Sequence, residues 1–159
     1  DLSNARLVIA GGGSDKKKCM RIANIYNMSN IEFIDVLPDQ VPVMQAQADI
    51  LLLPLRKGMA ATALPSKMTA YMFSAKPIIA SVDESSEVAH IIRSNNCGWV
   101  APPENMKELA CVMQQAYVTP NDDLLVLSKN ALEFANENLT QASNLKKLAQ
   151  VVENYRRVE

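Results

Sequence analysis

Two stretches of this sequence place cationic or hydroxyl side chains beside backbone-rich turns. The first is Leu64-Pro65-Ser66-Lys67-Met68-Thr69-Ala70-Tyr71-Met72-Phe73-Ser74-Ala75-Lys76-Pro77-Ile78-Ile79-Ala80, which reads as loop, short helix, turn and buried strand. Pro65 suits a first helical turn, where its missing N–H has no partner to lose. Ser66 and Lys67 then stand at the positive end of a helix dipole, a place that stabilises a phosphate or pyrophosphate. Lys76-Pro77 is expected to close the helix, because the residue before proline is driven out of helical geometry. The second stretch is Gly11-Gly12-Gly13, set between a short apolar run and a helical segment. A phosphate-binding turn belongs there, yet Lys16 stands where the third glycine of a dinucleotide fingerprint would be. The triple glycine is therefore either a tight turn against a neighbouring backbone or a point where a ligand approaches the main chain.

Other chemistry-bearing residues take plainer readings. Lys67 is read as a phosphate contact in preference to a solvated surface lysine. Lys76 is read as a structural cation at a helix C-terminus. Tyr71 and Met72 point opposite ways on the short helix, with one in the core and Tyr71 toward a ligand. Asp83, Glu84 and Glu87 complement a helix N-terminus. His90, the only histidine, falls opposite Val88 and Ile92 and is expected in solvent. No His or Cys partners it at metal-ligand spacing, and no Ser-His-Asp order or nucleophile elbow is present. Trp99 is expected in the core.

These residues need elements to hold them. Apolar runs predict strands over Arg6–Ala10, Ile31–Ile34, Asp49–Leu53 (ended by Pro54), Pro77–Ser81 and Gly98–Ala101. The runs are continuous rather than alternating, as in a parallel sheet covered on both faces. Helices are predicted over Ser14–Asn27, Pro38–Gln47, from Pro65, and over Ser86–Ser94. Asn105 and Glu108 fit a capping box before a helix expected to bury Met106, Leu109, Val112, Met113 and Ala116. Asn121–Asn136 carries Leu124, Leu127, Ala131, Leu132 and Ala135 at helical spacing. Thr140 is expected to cap a last helix with Leu145, Leu148, Val152 and Tyr155 in register. The alternation predicts a doubly wound α/β fold with a mostly parallel, Rossmann-like sheet and a C-terminal helical tail. Residues 1–117 are the expected ligand-binding core, and 118–159 the helices packing on it.

The 159 residues, 48% apolar and 21% charged with net charge −1, suit one domain and give no reason to expect a nucleic-acid partner. Three cysteines without a C-x-x-C pair argue against a disulfide framework and for a reducing cytoplasm. Asn138-Leu139-Thr140 matches a glycosylation sequon but reads as a helix end followed by an N-cap. No apolar run has the roughly 18–20 residues of a membrane span, and no targeting pattern leads the chain.

The order of "PSK", "YM", "AKPIIAS" and "GWVAPPEN" resembles the C-terminal, donor-binding domain of retaining glycosyltransferases of family 4, with the GT-B fold, in the branch that builds bacterial surface polysaccharides such as O antigen and capsule. The resemblance covers most of the chain. It implies transfer of a sugar from a nucleotide donor, with a UDP-sugar expected, to a saccharide or lipid-linked acceptor held by an N-terminal domain absent here. It implies donor phosphates at Ser66, Lys67, Gly12 and Gly13, and the nucleoside at Val36, Leu37, Ala70 and Tyr71. The loop with Arg56, Met59, Ala60 and Thr62 would border the donor sugar. No metal or other cofactor is implied, and the intact enzyme would associate peripherally with the inner face of the membrane. Two glutamates usual in the family fall here on Thr62 and Ala70, which cannot accept hydrogen bonds as carboxylates do. Without the acceptor-binding domain the chain alone is expected to be inactive, and without the family's first strand the sheet is expected to have an unpaired edge. A nucleotide-sugar epimerase half and a non-catalytic binding module are the rival readings; the single histidine argues against the epimerase.

Overall fold

The computed structural model describes residues 4–59 and 64–156. All five strands pair in parallel, through helical crossovers, as the apolar runs predict. The elements are β1 (Leu7–Ala10), α1 (Lys16–Ile25), β2 (Ile31–Ile34), a 3-10 turn (Pro38–Gln40) running into α2 (Val41–Gln47), β3 (Leu51–Pro54), α3 (Ser66–Phe73), β4 (Ile78–Ser81), α4 (Glu87–Ser94), β5 (Gly98–Ala101), α5 (Met106–Val118), α6 (Asn121–Asn138) and α7 (Gln141–Arg156). The strands form two sheets, β1–β2 and β3–β4–β5. Internal contacts divide the chain into two bodies, Asp1–Met44 and Gln45–Glu159.

In the larger body, β4 is the central strand and is buried on both faces. Alternation along a strand sends neighbouring side chains to opposite sides. Ile78 and Ala80 join Leu53, Met68, Met72, Val88, Ile92 and Ala131 on one face. Ile79 packs with Val112 and Ala116 of α5 on the other, where Trp99 is half-buried. A fully buried Ile or Leu contributes about 1.5–3 kcal/mol through lost apolar hydration, so this two-sided layer dominates the body's stability. Helix α6 lies against α3, and α7 against α6. β5 passes so close to β4 that a Cβ on Gly98 (φ +155°) would sit 1.9 Å from the Ile78 carbonyl oxygen, which only glycine avoids.

Several expectations change. β1 is not covered on both faces: Val8 and Ile9 are 40% and 36% exposed, in a sheet of only two strands. Met106 is 86% exposed rather than buried, because it opens α5 before the helix reaches the sheet. Leu145, Leu148 and Val152 of α7 also face solvent, and Tyr155 lies outside the residues whose side chains are described. Helix α3 ends three residues before Lys76-Pro77, by a left-handed residue at Ala75 (φ +51°). Helices α1 and α4 end the same way at Asn27 and Asn96, residues that tolerate that conformation better than alanine does. The sequon is a helix end plus a cap, as expected: α6 stops at Asn138, and the Thr140 hydroxyl accepts the Ser143 amide at 3.1 Å. Among the described residues, no helix is long and apolar enough to cross a membrane.

Candidate functional site

The site residues expected from sequence fall on the carboxyl-end turns of β1 and β2 in one body and of β3 in the other. In an open parallel sheet, these are the turns where ligands bind.

In the smaller body, the Gly11 amide donates to the Ile34 carbonyl at 3.0 Å, tying the ends of β1 and β2 together. Gly11 (φ +105°) and Gly13 (φ +153°) hold conformations that side-chain-bearing residues rarely adopt. A Cβ at Gly11, Gly12 or Gly13 would meet nothing within 4 Å among the described residues. Among the described residues, no neighbouring backbone occupies the side-chain positions of this turn. Helix α1 then starts with Lys16, Lys17 and Lys18; Asp15 stands at its N-cap without a side-chain cap hydrogen bond, and no acid follows in the first turn. Lys16 Nζ lies 2.5 Å from Asp35 Oδ1, just past the end of β2. Beyond Asp35, Val36 is half-buried and Leu37 exposed; the Leu37 amide donates to Gln40 Oε1 at 3.2 Å.

In the larger body, Pro65 stands at the N-cap of α3, one position earlier than the first-turn place expected for it, with extended geometry (φ −63°, ψ 136°). Its carbonyl accepts the Met68 amide at 2.9 Å and the Thr69 amide at 3.4 Å. The amides of Ser66 and Lys67 have no hydrogen-bond partner among the described residues, and both side chains are exposed. An anion at this position would meet two free N–H donors, a hydroxyl and an ammonium. Ala70 is exposed on the same helix and offers no polar group. Met72 is the core member of its pair, while Tyr71 is half-buried, its hydroxyl directed at the Leu52 carbonyl at 3.5 Å. Burial pushes the Tyr71 phenol above its ordinary range, so the hydroxyl stays protonated.

The loop after β3 is anchored at both ends of its described part. The Leu55 amide donates to the Ser81 carbonyl at 2.9 Å, and the Gly58 amide to Asp83 Oδ2 at 2.6 Å. Arg56 and Met59 lie on this loop and are exposed; Ala60 and Thr62 lie outside the described residues. Of the three acids, Glu87 stands in the first turn of α4, and the other two hold other partners. Ser86, not an acid, caps α4 by accepting the Ala89 amide at 3.2 Å. Asp83 holds the loop, and Glu84 pairs with Arg93, whose guanidinium keeps that carboxyl below its ordinary range.

His90 is exposed as expected, its Nδ1 3.4 Å from Ser94 Oγ. Among the described residues, no three His, Cys, Asp or Glu side chains gather as a metal site would require. Cys97 is buried, and desolvation pushes its thiol up to about 11, which removes it as a nucleophile near neutrality.

Sequence reasoning passed over Asp35 and missed the partners of Lys16 and Asp83. The signals were a lysine at the third-glycine position and acids directly after β2 and shortly after β4.

The sequence matches the family described as glycosyl transferases group 1 over residues 1–118. It is 28% identical over 107 residues to the probable glycosyltransferase WbjE of Pseudomonas aeruginosa, an alignment covering 67% of this chain and 26% of WbjE. The fold is similar to that of WaaG, a glycosyltransferase involved in lipopolysaccharide biosynthesis, with TM-score 0.68 and 23% identity over 92% of this chain and 37% of WaaG. It is also similar to Anabaena HepE in complex with UDP-glucose, with TM-score 0.72 and 15% identity over 96% of this chain and 43% of HepE. This chain thus spans about a quarter of the length of its curated relative. With the family matched across most of the sequence and the parallel α/β fold matched with it, the chain belongs to the glycosyl transferases group 1 family.

Proposed function

We infer that this chain is the nucleotide-sugar-binding part of a glycosyltransferase of bacterial surface-polysaccharide synthesis, with a UDP-sugar as donor and a saccharide or lipid-linked saccharide as acceptor. The observation that carries the reading is the start of α3. Among the described residues, two backbone amides have no hydrogen-bond partner there, with the Ser66 and Lys67 side chains beside them and no acid in the first turn. In the larger body those amides, and in the smaller body the main chain of Gly12 and Gly13, each offer a place for a donor phosphate. The nucleoside contacts are assigned to Val36 and Leu37 on the smaller body and to Ala70 and Tyr71 on the larger, and the sugar contacts to Arg56, Met59, Ala60 and Thr62.

When the bond from sugar to diphosphate breaks, negative charge grows on the leaving phosphate. Fixed N–H dipoles and a cation stabilise that charge more strongly than they do the ground state, which is how they accelerate the step. No side chain here is assigned as an acid or base, and neither a metal ion nor another cofactor is invoked. The protein acts at the cytoplasmic face of the membrane, with the acceptor side supplied outside these residues.

Titrating the intact protein with UDP, GDP and ADP tests the reading. Selective micromolar binding of one of them supports it; no binding of any supports a module that binds only a protein partner. That second reading has one specific observation in its favour: Thr62 and Ala70 replace two carboxylates usual in the resembled family.

A further inference from the structure

One ion pair at the ends of β1 and β2 differs from the others described. The side chain of Lys16 is only 21% exposed, although it opens a surface helix, while its partner Asp35 is 86% exposed. The three other described pairs join two partners that are both well exposed. The Lys16 amide donates to the Gly13 carbonyl at 3.2 Å, and Gly11 is bonded to Ile34, the residue before Asp35. The lysine stem is thus covered, and its ammonium is directed across the glycine turn to the end of β2. Asp35 uses one oxygen on Lys16; its other oxygen has no hydrogen-bond partner among the described residues.

We propose that Asp35 is a built-in competitor for Lys16. Its carboxylate holds the ammonium that the donor diphosphate takes, so nucleotide binding exchanges one anion for another on the same cation. The inference rests on the reading that the diphosphate lies over the glycine turn. The exchange is favourable because a diphosphate carries more charge than a single carboxylate and also meets the turn's amides, and because an exposed carboxylate is a weak partner for a lysine. Asp35 then sets affinity by opposing binding. A ribose-holding acid would do the reverse, since its removal would loosen the nucleoside.

The test is calorimetric titration of the intact protein with UDP, GDP and ADP, each alongside its own nucleoside. The proteins compared are wild type, Asp35→Asn, Lys16→Ala and the double variant, at low and moderate salt. Exposed ion pairs of this kind correspond to roughly 1.5- to 5-fold in an equilibrium constant. Asp35→Asn should tighten the preferred diphosphate by about that factor and leave its nucleoside unchanged. Lys16→Ala should weaken the diphosphate, and in that background the gain from Asp35→Asn should vanish. A diphosphate loosened or unmoved by Asp35→Asn overturns the proposal alone, as does a gain that persists in full without Lys16. A wild type that binds none of the three nucleotides overturns the donor reading and this proposal with it. Far-ultraviolet circular dichroism on each variant keeps loss of fold separate from loss of affinity.

Discussion

The turns that lead into α1 and α3 differ from those that lead into α4 and α5 in how they treat the first backbone amides of the helix. Ser86 caps α4 and Asn105 caps α5, each side-chain oxygen accepting the amide three residues on, and each first turn carries an acid, Glu87 or Glu108. Helices α1 and α3 have no side-chain cap hydrogen bond and no acid in the first turn, and lysines stand there instead. A cap plus a carboxylate satisfies the orphan donors and the dipole from within the chain. The α1 and α3 starts lack that capping hydrogen bond and place lysines in the first turn, although α1 has Asp15 at its N-cap. Two helix starts are therefore capped from within the chain, and two carry lysines without a side-chain cap hydrogen bond, α1 with Asp15 at its N-cap and Asp35 on Lys16.

The comparison breaks if the α3 start proves inert. Lys67→Ala removes one charge-assisted hydrogen bond to the diphosphate, worth about 1.5–3 kcal/mol, so affinity for the preferred nucleotide should fall roughly 10- to 100-fold. The denaturant midpoint should not change, because the Lys67 side chain is exposed. Unchanged affinity in a titration would remove α3 from the donor site. The capped starts should behave in the opposite way. Ser86→Ala should cost about 1–2 kcal/mol of unfolding free energy, toward the upper end of the cap range because Ser86 is buried, and should leave nucleotide affinity untouched. Asn105→Ala, on a more exposed start, should cost less, about 0.5–1 kcal/mol, again with no effect on binding. Urea unfolding followed by circular dichroism, together with the same titration, measures both quantities.

The sequence made parts of this contrast legible and concealed others, for physical reasons. Asn105 and Thr140 could be placed because capping is local: an oxygen and an amide three residues apart decide it. The two-sided burial of β4 was legible because a continuous apolar run has few other stable fates. The exposure of β1 was not, since the same kind of run, Leu7–Ala10, is uncovered where its sheet has only two strands. The end of α3 was misplaced because Pro77 gives a strong local signal, whereas an alanine in left-handed geometry gives none. Lys16 and Asp35 are 19 residues apart, and only parallel pairing of β1 with β2 brings them to one edge. Asp83 is 25 residues from Gly58, joined through the β3–β4 register.

The last and smallest effect tests the contrast from the side of stability. Lys18 occupies the third position of α1, is exposed, and adds positive charge to the positive end of a helix. Lys18→Glu replaces that repulsion with the acid found at the α5 start, and complementing a dipole in this way contributes about 0.3–1 kcal/mol at low salt. The variant should therefore unfold at slightly higher denaturant than the wild type. If α1 is arranged for a diphosphate, the same change should weaken nucleotide binding several-fold, through the loss of one cation and the gain of one anion near the phosphates. Stability and affinity then move in opposite directions in a single variant, both effects shrinking as salt is raised. A gain in stability with no loss of affinity would leave α1 as an ordinary helix with an unhelpful first turn, and would confine the anion site to α3.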